Sequence, residues 1–156
     1  MDLSLGPEDR AFQDEVRAFL RDNLTPDLRQ AGARTGGAFA EVLAGFRWHR
    51  ILARRGWSAT TWPKEHGGPG WSATQRYIFA RESTAVDAPR VFNMGVRMVG
   101  PVVMKFGTPE QKAKYLPGVA SGDIVFCQGY SEPGSGSDLA SLKTRADSDG
   151  DDYVIN

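Results

Sequence analysis

A single cysteine, Cys127, stands in a chain of 156 residues, so no disulfide framework can form and a cysteine-rich zinc site is excluded. Only two histidines occur, His49 and His66, and they lack the pairing of a metal-ligand motif. Charge of neither sign is in excess: 19 Lys and Arg balance 19 Asp and Glu, whereas a polyanion-binding protein ordinarily carries a basic surplus. No apolar run approaches the roughly 18–20 residues of a membrane span. The start, Met1-Asp2-Leu3-Ser4-Leu5, has neither the basic residues nor the apolar stretch of a signal peptide. These absences predict a cytoplasmic, water-soluble protein with no metal, no nucleic-acid partner and a reduced thiol. What remains, 40% hydrophobic and 24% charged residues, is the composition of a folded domain able to bury about 70% of its unfolded surface.

Glycine and proline divide the chain into segments whose character changes near residue 122. Pro7 to Leu24 is predicted as a helix, with Pro7 at its first position, Glu8 and Asp9 at the positive end of its dipole, and Phe12, Val16, Phe19 and Leu20 on one face. Thr25-Pro26 should end it. A second helix is expected from Phe39 to Arg55, its face formed by Phe39, Val42, Leu43, Phe46 and Ile51, with Gly56 as its stop. Trp57, Trp62 and Trp71 fall in a glycine-rich loop that reads as a packed corner between helices. Ser72 and Gln75 have the spacing of a capping box for a third helix running to Thr84. A fourth, from Arg90 to Lys105, should bend at Gly100-Pro101. Thr108-Pro109-Glu110-Gln111 starts a fifth that is expected to end near Leu116-Pro117. Beyond Asp123 the pattern is one of strands: Ile124 to Cys127 as a buried strand, Ser141 to Ala146 as a second, an Asp149-Gly150 hairpin turn, and Tyr153 to Ile155 as a third. The division is therefore a mainly α domain over 1–122 and the beginning of a β-domain over 123–156. The sequence stops in mid-strand and reads as cut short.

The stretch Gln128-Gly129-Tyr130-Ser131-Glu132-Pro133-Gly134-Ser135-Gly136-Ser137-Asp138 is dense in small residues. Successive amides in such a turn can form a concave nest for an anion such as a pyrophosphate, and Ser131, Ser135 and Ser137 add hydroxyls. The same composition also suits a plain polar turn between strands. Gly134 and Gly136 lack the third glycine of a dinucleotide fingerprint, and Gly129 to Pro133 fails the nucleophile elbow at its last position. No catalytic dyad or triad emerges.

Four separated motifs resemble the N-terminal part of the acyl-CoA dehydrogenase family. They are Gly56-Trp57 with Trp62-Pro63-Lys64-Glu65-His66-Gly67-Gly68-Pro69-Gly70-Trp71-Ser72; Gly107 to Lys112 with Tyr115-Leu116-Pro117 and Gly122; Ser131 to Asp138 with Lys143-Thr144; and the segment Gly150 to Asn156. Their order and spacing agree over nearly all 156 residues. The resemblance implies an N-terminal α-helical domain followed by the first strands of a β-barrel-like middle domain, with a C-terminal four-helix bundle beyond. It also implies a flavin-clamping Trp and Thr after Asn156, and a catalytic Glu in that bundle or on a neighbouring helix of it, none of them in this chain. The family's reaction is α,β-dehydrogenation of an acyl-CoA thioester: a Glu carboxylate removes the α-proton while hydride passes to N5 of FAD. Hydrogen bonds to the thioester oxygen stabilise the developing enolate charge.

By the same resemblance Gln128, Tyr130 and Ser131 match residues at the isoalloxazine edge, with the Ser131 hydroxyl near N5. Gly136 and Ser137 match the turn near the FAD pyrophosphate, and Ser137 also matches a contact to acyl-CoA. The helix from Phe92 to Val103 would line the acyl pocket, where Asn93 and Arg97 interrupt an apolar series. Arg97 or Arg90 could pair with a distal carboxylate or polar ring of a substrate; solvated arginines on an amphipathic helix are the plainer account. An electron-transfer flavoprotein as acceptor, and dimers or tetramers of the complete enzyme, are also implied. The chain by itself is expected to be inactive and to hold FAD weakly or not at all. A non-catalytic subunit or interaction module of a heteromeric dehydrogenase, and an oxidase or monooxygenase variant of the superfamily, are the competing readings.

Overall fold

The computed structural model describes residues 4–36 and 41–156. Helix α1 (Pro7–Asn23) starts on its proline, carries Glu8 and Asp9 in its first turn, and buries Phe12, Gln13, Val16 and Leu20. Thr25-Pro26 does end it, but Pro26 also opens α2 (Pro26–Ala33), a helix the sequence reading did not contain. Proline ends one helix and begins the next for one reason: it has no N–H, and first-turn N–H groups have no helical partner to lose.

Helix α3 (Val42–Arg55) is capped by the Glu41 carboxylate, which accepts from the Ala44 amide at 2.8 Å, and it closes at Gly56, whose φ of +76° favours glycine. Phe39, its expected first residue, lies outside the described residues. The expected face is corrected: Val42 and Leu43 are exposed, and Ala44, Gly45, Trp48, His49 and Leu52 are buried. The large Trp48 ring, 1% exposed, sets the rotation of the helix.

Helix α4 (Ala73–Ala85) begins on the expected capping box, with the Gln75 amide donating to Ser72 Oγ at 3.1 Å and the Ser72 amide to Gln75 Oε1 at 3.0 Å. The expected fourth helix divides in two: a wide π-helical turn (Met94–Val99) runs into α5 (Gly100–Phe106). Pro101 cannot donate to the preceding turn, and the Gly100 amide reaches back five residues to the Gly95 carbonyl. Helix α6 (Pro109–Ser121) also starts on its box, Thr108 with Gln111, but it passes through Pro117 to Ser121. Burial of Leu116 and Val119 holds this last turn, and Gly122 at φ +83° closes it.

Two adjacent cores result. Helices α1, α3 and α4 enclose Phe12, Val16, Leu20, Trp48, Leu52, Trp57 and Ile78. Ala59, Trp62, Val96, Leu116 and Val119 form a second cluster between the tryptophan-rich corner, the π-helical turn and α6. Within the second cluster Trp62 ties the corner to the π-helical turn: its Nε1–H donates to the Val96 carbonyl at 2.7 Å with the ring 1% exposed. On the α1–α4 contact, Glu82 is buried and accepts from Gln13 Nε2 at 2.6 Å and Arg17 Nε at 2.8 Å, with Arg81 alongside. Burial by itself would raise the Glu82 pKa, yet the hydrogen bonds from Arg17, Arg81 and Gln13 outweigh it and hold the carboxyl at about 2.

After Asp123 the expected buried strand is corrected. Residues 124–127 run extended without a strand partner among the described residues. Ile124 and Phe126 pack on the second core, while Val125 and Cys127 are exposed. The alternation is that of a strand, but helices supply the surface it covers. The expected strand over Ser141–Ala146 is also displaced: Leu139–Ser141 forms a short 3-10 turn, and β1 (Ala146–Asp149) pairs antiparallel with β2 (Asp152–Ile155). Gly150, at φ +62°, makes the hairpin turn where the Asp149-Gly150 signal lies.

Candidate functional site

The extended ribbon leaves the second core at Ile124, whose side chain lies over Gly118 of α6; a Cβ on that glycine would stand 2.5 Å from Ile124 Cδ1. From Cys127 onward the ribbon is exposed, and Gln128, Tyr130 and Ser131 lie on it in succession. Their amides, with those of Gly129, Gly136 and Ser137, form no hydrogen bond within the described residues. Gly129, Gly134 and Gly136 have open space where a Cβ would stand. This is a row of available donors on a surface with few side chains.

The turn itself is closed by polar contacts. The Ser135 amide donates to the Glu132 carbonyl at 3.0 Å, and the Glu132 amide returns to Ser135 at 3.4 Å. Ser135 is 4% exposed, and its hydroxyl meets that of Ser141 at 2.8 Å, which in turn donates to the Asp138 carbonyl at 2.8 Å. Across the loop the Glu132 carboxylate accepts from the Lys143 amide at 3.0 Å and the Thr144 amide at 2.7 Å. The Thr144 hydroxyl and these two amides hold the Glu132 pKa below the usual carboxylate value. Glu132 and Ser141 are structural members of this turn that the sequence reading gave no role, and the Ser135 hydroxyl, expected among those offered to a ligand, is instead buried against Ser141.

Asn93 and Arg97 sit elsewhere. They line a cleft of about 610 Å3 between α4 and the π-helical turn, and none of the residues from Gln128 to Ser137 borders it. Its floor includes Trp48 and Phe79, and its walls carry Arg76, Ser83 and Arg90 as well. Arg76, Arg90 and Arg97 have no ion-pair partner among the described residues, and the Ser83 hydroxyl is buried without a hydrogen bond. Such a volume accepts a compact organic group, and its donors suit an oxygen acceptor.

Residues 6–123 match the profile of the acyl-CoA dehydrogenase N-terminal domain. The chain belongs to the acyl-CoA dehydrogenase family. It is 41% identical to acyl-CoA dehydrogenase FadE26 of Mycobacterium tuberculosis over 162 residues, covering 100% of this chain and 39% of that protein. Against acyl-CoA dehydrogenase IpdE1 of the same organism the identity is 43%, over 93% of this chain and 38% of the other. Among solved structures, the ChsE4-ChsE5 complex from Mycobacterium tuberculosis superposes with a TM-score of 0.79 at 40% identity, covering 100% of this chain and 38% of that one. The Tcur3481-Tcur3483 steroid ACAD does so with a TM-score of 0.80 at 43% identity, over 99% of this chain and 39% of the other. The chain thus spans about two-fifths of the length of these relatives.

Some structures in this family hold flavin; an acyl-CoA dehydrogenase from Bacillus anthracis complexed with FAD is similar to this chain, with a TM-score of 0.67 at 25% identity. The donor set of the ribbon and turn suits such a group: amides and hydroxyls can meet the polar edge of an isoalloxazine, and glycines let backbone approach a pyrophosphate. No helix among the described residues is long and apolar enough to cross a membrane.

Proposed function

We propose that a full-length protein containing this chain is a cytoplasmic FAD-dependent acyl-CoA dehydrogenase that introduces an α,β double bond into an acyl-CoA thioester. In this reading residues 1–122 form the N-terminal helical domain and 123–156 open the middle β-domain. The observation that carries it is the exposed ribbon of unpaired amides leading into a polar, clasped turn. Gln128, Tyr130 and Ser131 would meet the isoalloxazine edge, Gly136 and Ser137 would face the pyrophosphate, and Ser137 would also touch the acyl-CoA. Bound there, FAD supplies the hydride acceptor. The residues of this chain supply orientation and fixed dipoles, which need no rearrangement as charge develops.

Asn93 and Arg97 would act on the acyl side, where the cleft can hold the body of the acyl group and offer donors to an oxygen on it. Electrons would then pass to an electron-transfer flavoprotein or a similar acceptor. A second reading keeps the fold and changes the assembly: two of the similar structures are two-protein complexes, so the protein could be one subunit of a heteromeric dehydrogenase.

Purification of the full-length protein in excess FAD tests both. Stoichiometric flavin absorbance and acyl-CoA oxidation with an artificial acceptor are expected. Retention of no flavin would discard the proposal. Flavin and activity appearing only when a co-expressed second dehydrogenase subunit is present would favour the heteromer.

A further inference from the structure

We propose that Glu132 is a positioning residue for the flavin site: its carboxylate clasps the two ends of the 132–144 loop and so sets the direction of Ser131, Gly136 and Ser137. The inference rests on the flavin reading above and goes beyond it by naming what gives the turn its shape.

The loop has little else to define it. Within 133–145 Ser135 is buried and Leu139 half-buried, and no residue of the loop joins either hydrophobic cluster. Its ends approach because one side chain accepts from two consecutive amides, Lys143 at 3.0 Å and Thr144 at 2.7 Å. A charged acceptor makes these stronger than bonds between neutral groups. Inside this outer clasp lies a second closure, the Glu132–Ser135 backbone pair and the Ser135–Ser141 hydroxyl contact. Glu132 takes part in both, through its backbone in one and its side chain in the other. Ser131 immediately precedes it, while Gly136 and Ser137 lie between the two closures, so their orientation depends on this residue.

Without the carboxylate, the loop samples many conformations, and a ligand must select one of them. That selection lowers affinity in proportion to the competent fraction. Glu132 is half-buried and belongs to neither hydrophobic cluster, so the two cores do not depend on it.

The test uses the full-length protein as wild type, Glu132→Ala and Glu132→Gln. Hydrogen exchange is followed at the Lys143 and Thr144 amides of the flavin-free protein, and FAD affinity is measured by flavin fluorescence. Glu132→Ala is expected to lose amide protection and to raise the FAD Kd at least tenfold, with the thermal midpoint of the flavin-free protein unchanged. Glu132→Gln, which keeps one acceptor oxygen, should fall between. Variants that bind FAD within twofold of wild type, or amides that exchange alike in all three proteins, overturn the inference. A wild-type protein that takes up no FAD would overturn the function itself; wild-type binding with unchanged variants would sink only the role of Glu132.

Discussion

Replacement of Gly100 by alanine sets two opposing effects against each other. Gly100 is the first residue of α5, and its backbone is ordinary right-handed helix, so intrinsic propensity favours alanine by about 1 kcal/mol. The space does not. A Cβ there would lie 2.1 Å from Trp62 Cζ2 and 2.9 Å from Cε2, against the roughly 3.5–4.0 Å of ordinary carbon contact. Trp62 cannot retreat cheaply, because its ring is buried and its Nε1–H is committed to the Val96 carbonyl at 2.7 Å. Either the helix start shifts, at about 1–3 kcal/mol or more for overpacking, or the tryptophan swings and leaves a buried carbonyl unpaired at about 1–3 kcal/mol. Set against the propensity gain, a net loss of about 1 kcal/mol follows, which for a chain of this size lowers the melting temperature by about 2–4 °C. Thermal unfolding followed by circular dichroism measures it, with Gly36→Ala as the control, since nothing lies within 4 Å of a Cβ there. A melting temperature unchanged or raised in Gly100→Ala would refute the steric argument.

Acidification should weaken the α1–α4 contact. The Glu82 carboxyl is held at about 2, below its ordinary 4.5, so its contribution is present above pH 4.5 and is lost as pH falls toward 2; about 3 kcal/mol is expected. Urea unfolding of wild type across that range should show the loss, and Glu82→Gln should show a smaller one, since Asp27 and Glu132 are also held below their ordinary values. Burial lowers the pKa of His49, whose Nε2–H donates to the Ala120 carbonyl, so stability should also fall as pH drops below about 6.5; a His49→Gln variant that keeps the same slope would contradict this. Exposed Cys127 should react with a thiol reagent in the native protein at the rate of a free thiol, and protection until unfolding would contradict the exposed ribbon. In the complete enzyme, Arg97→Ala should reduce preference for dicarboxylyl-CoA over plain fatty acyl-CoA; unchanged selectivity discards the acyl-side role of Arg97.

Elements governed by adjacent residues were the legible ones. The starts of α4 and α6 follow from Ser72 with Gln75 and Thr108 with Gln111, because a cap is satisfied within three residues, and that of α1 follows from Pro7 at its first position. Elements decided by distant partners were not. Ile124 to Cys127 has the composition of a buried strand, yet Ile124 and Phe126 find their apolar surface on a helical core. Pro117 reads as a terminator because local rules say so, and a buried last turn overrode it; Pro26 does end α1, but its second role, opening α2, went unread. At the site, the glycine- and serine-rich turn was visible as composition. Its clasp was not, since Glu132 meets Lys143 and Thr144 across eleven and twelve residues with no periodicity to announce it. Arg76 and Ser83 join Arg97 only because α4 and the π-helical turn border one cleft.

The π-helical turn at Met94–Val99 also bears on how this chain tolerates insertions and deletions. A wide turn accommodates a residue more than an α-helix of the same height would need, and each residue of an α-helix advances the direction of a side chain by about 100°. Removing one residue from this stretch and letting it relax to regular helix would leave Asn93 facing nearly the same way relative to α5, because the wide turn holds the surplus residue; the same deletion within a regular helix would swing the flanks by about 100°. A deletion of one at this point would thus keep Asn93 at the cleft, whereas a further insertion, with no slack left to absorb it, would turn Asn93 relative to α5 and change which groups border the cleft.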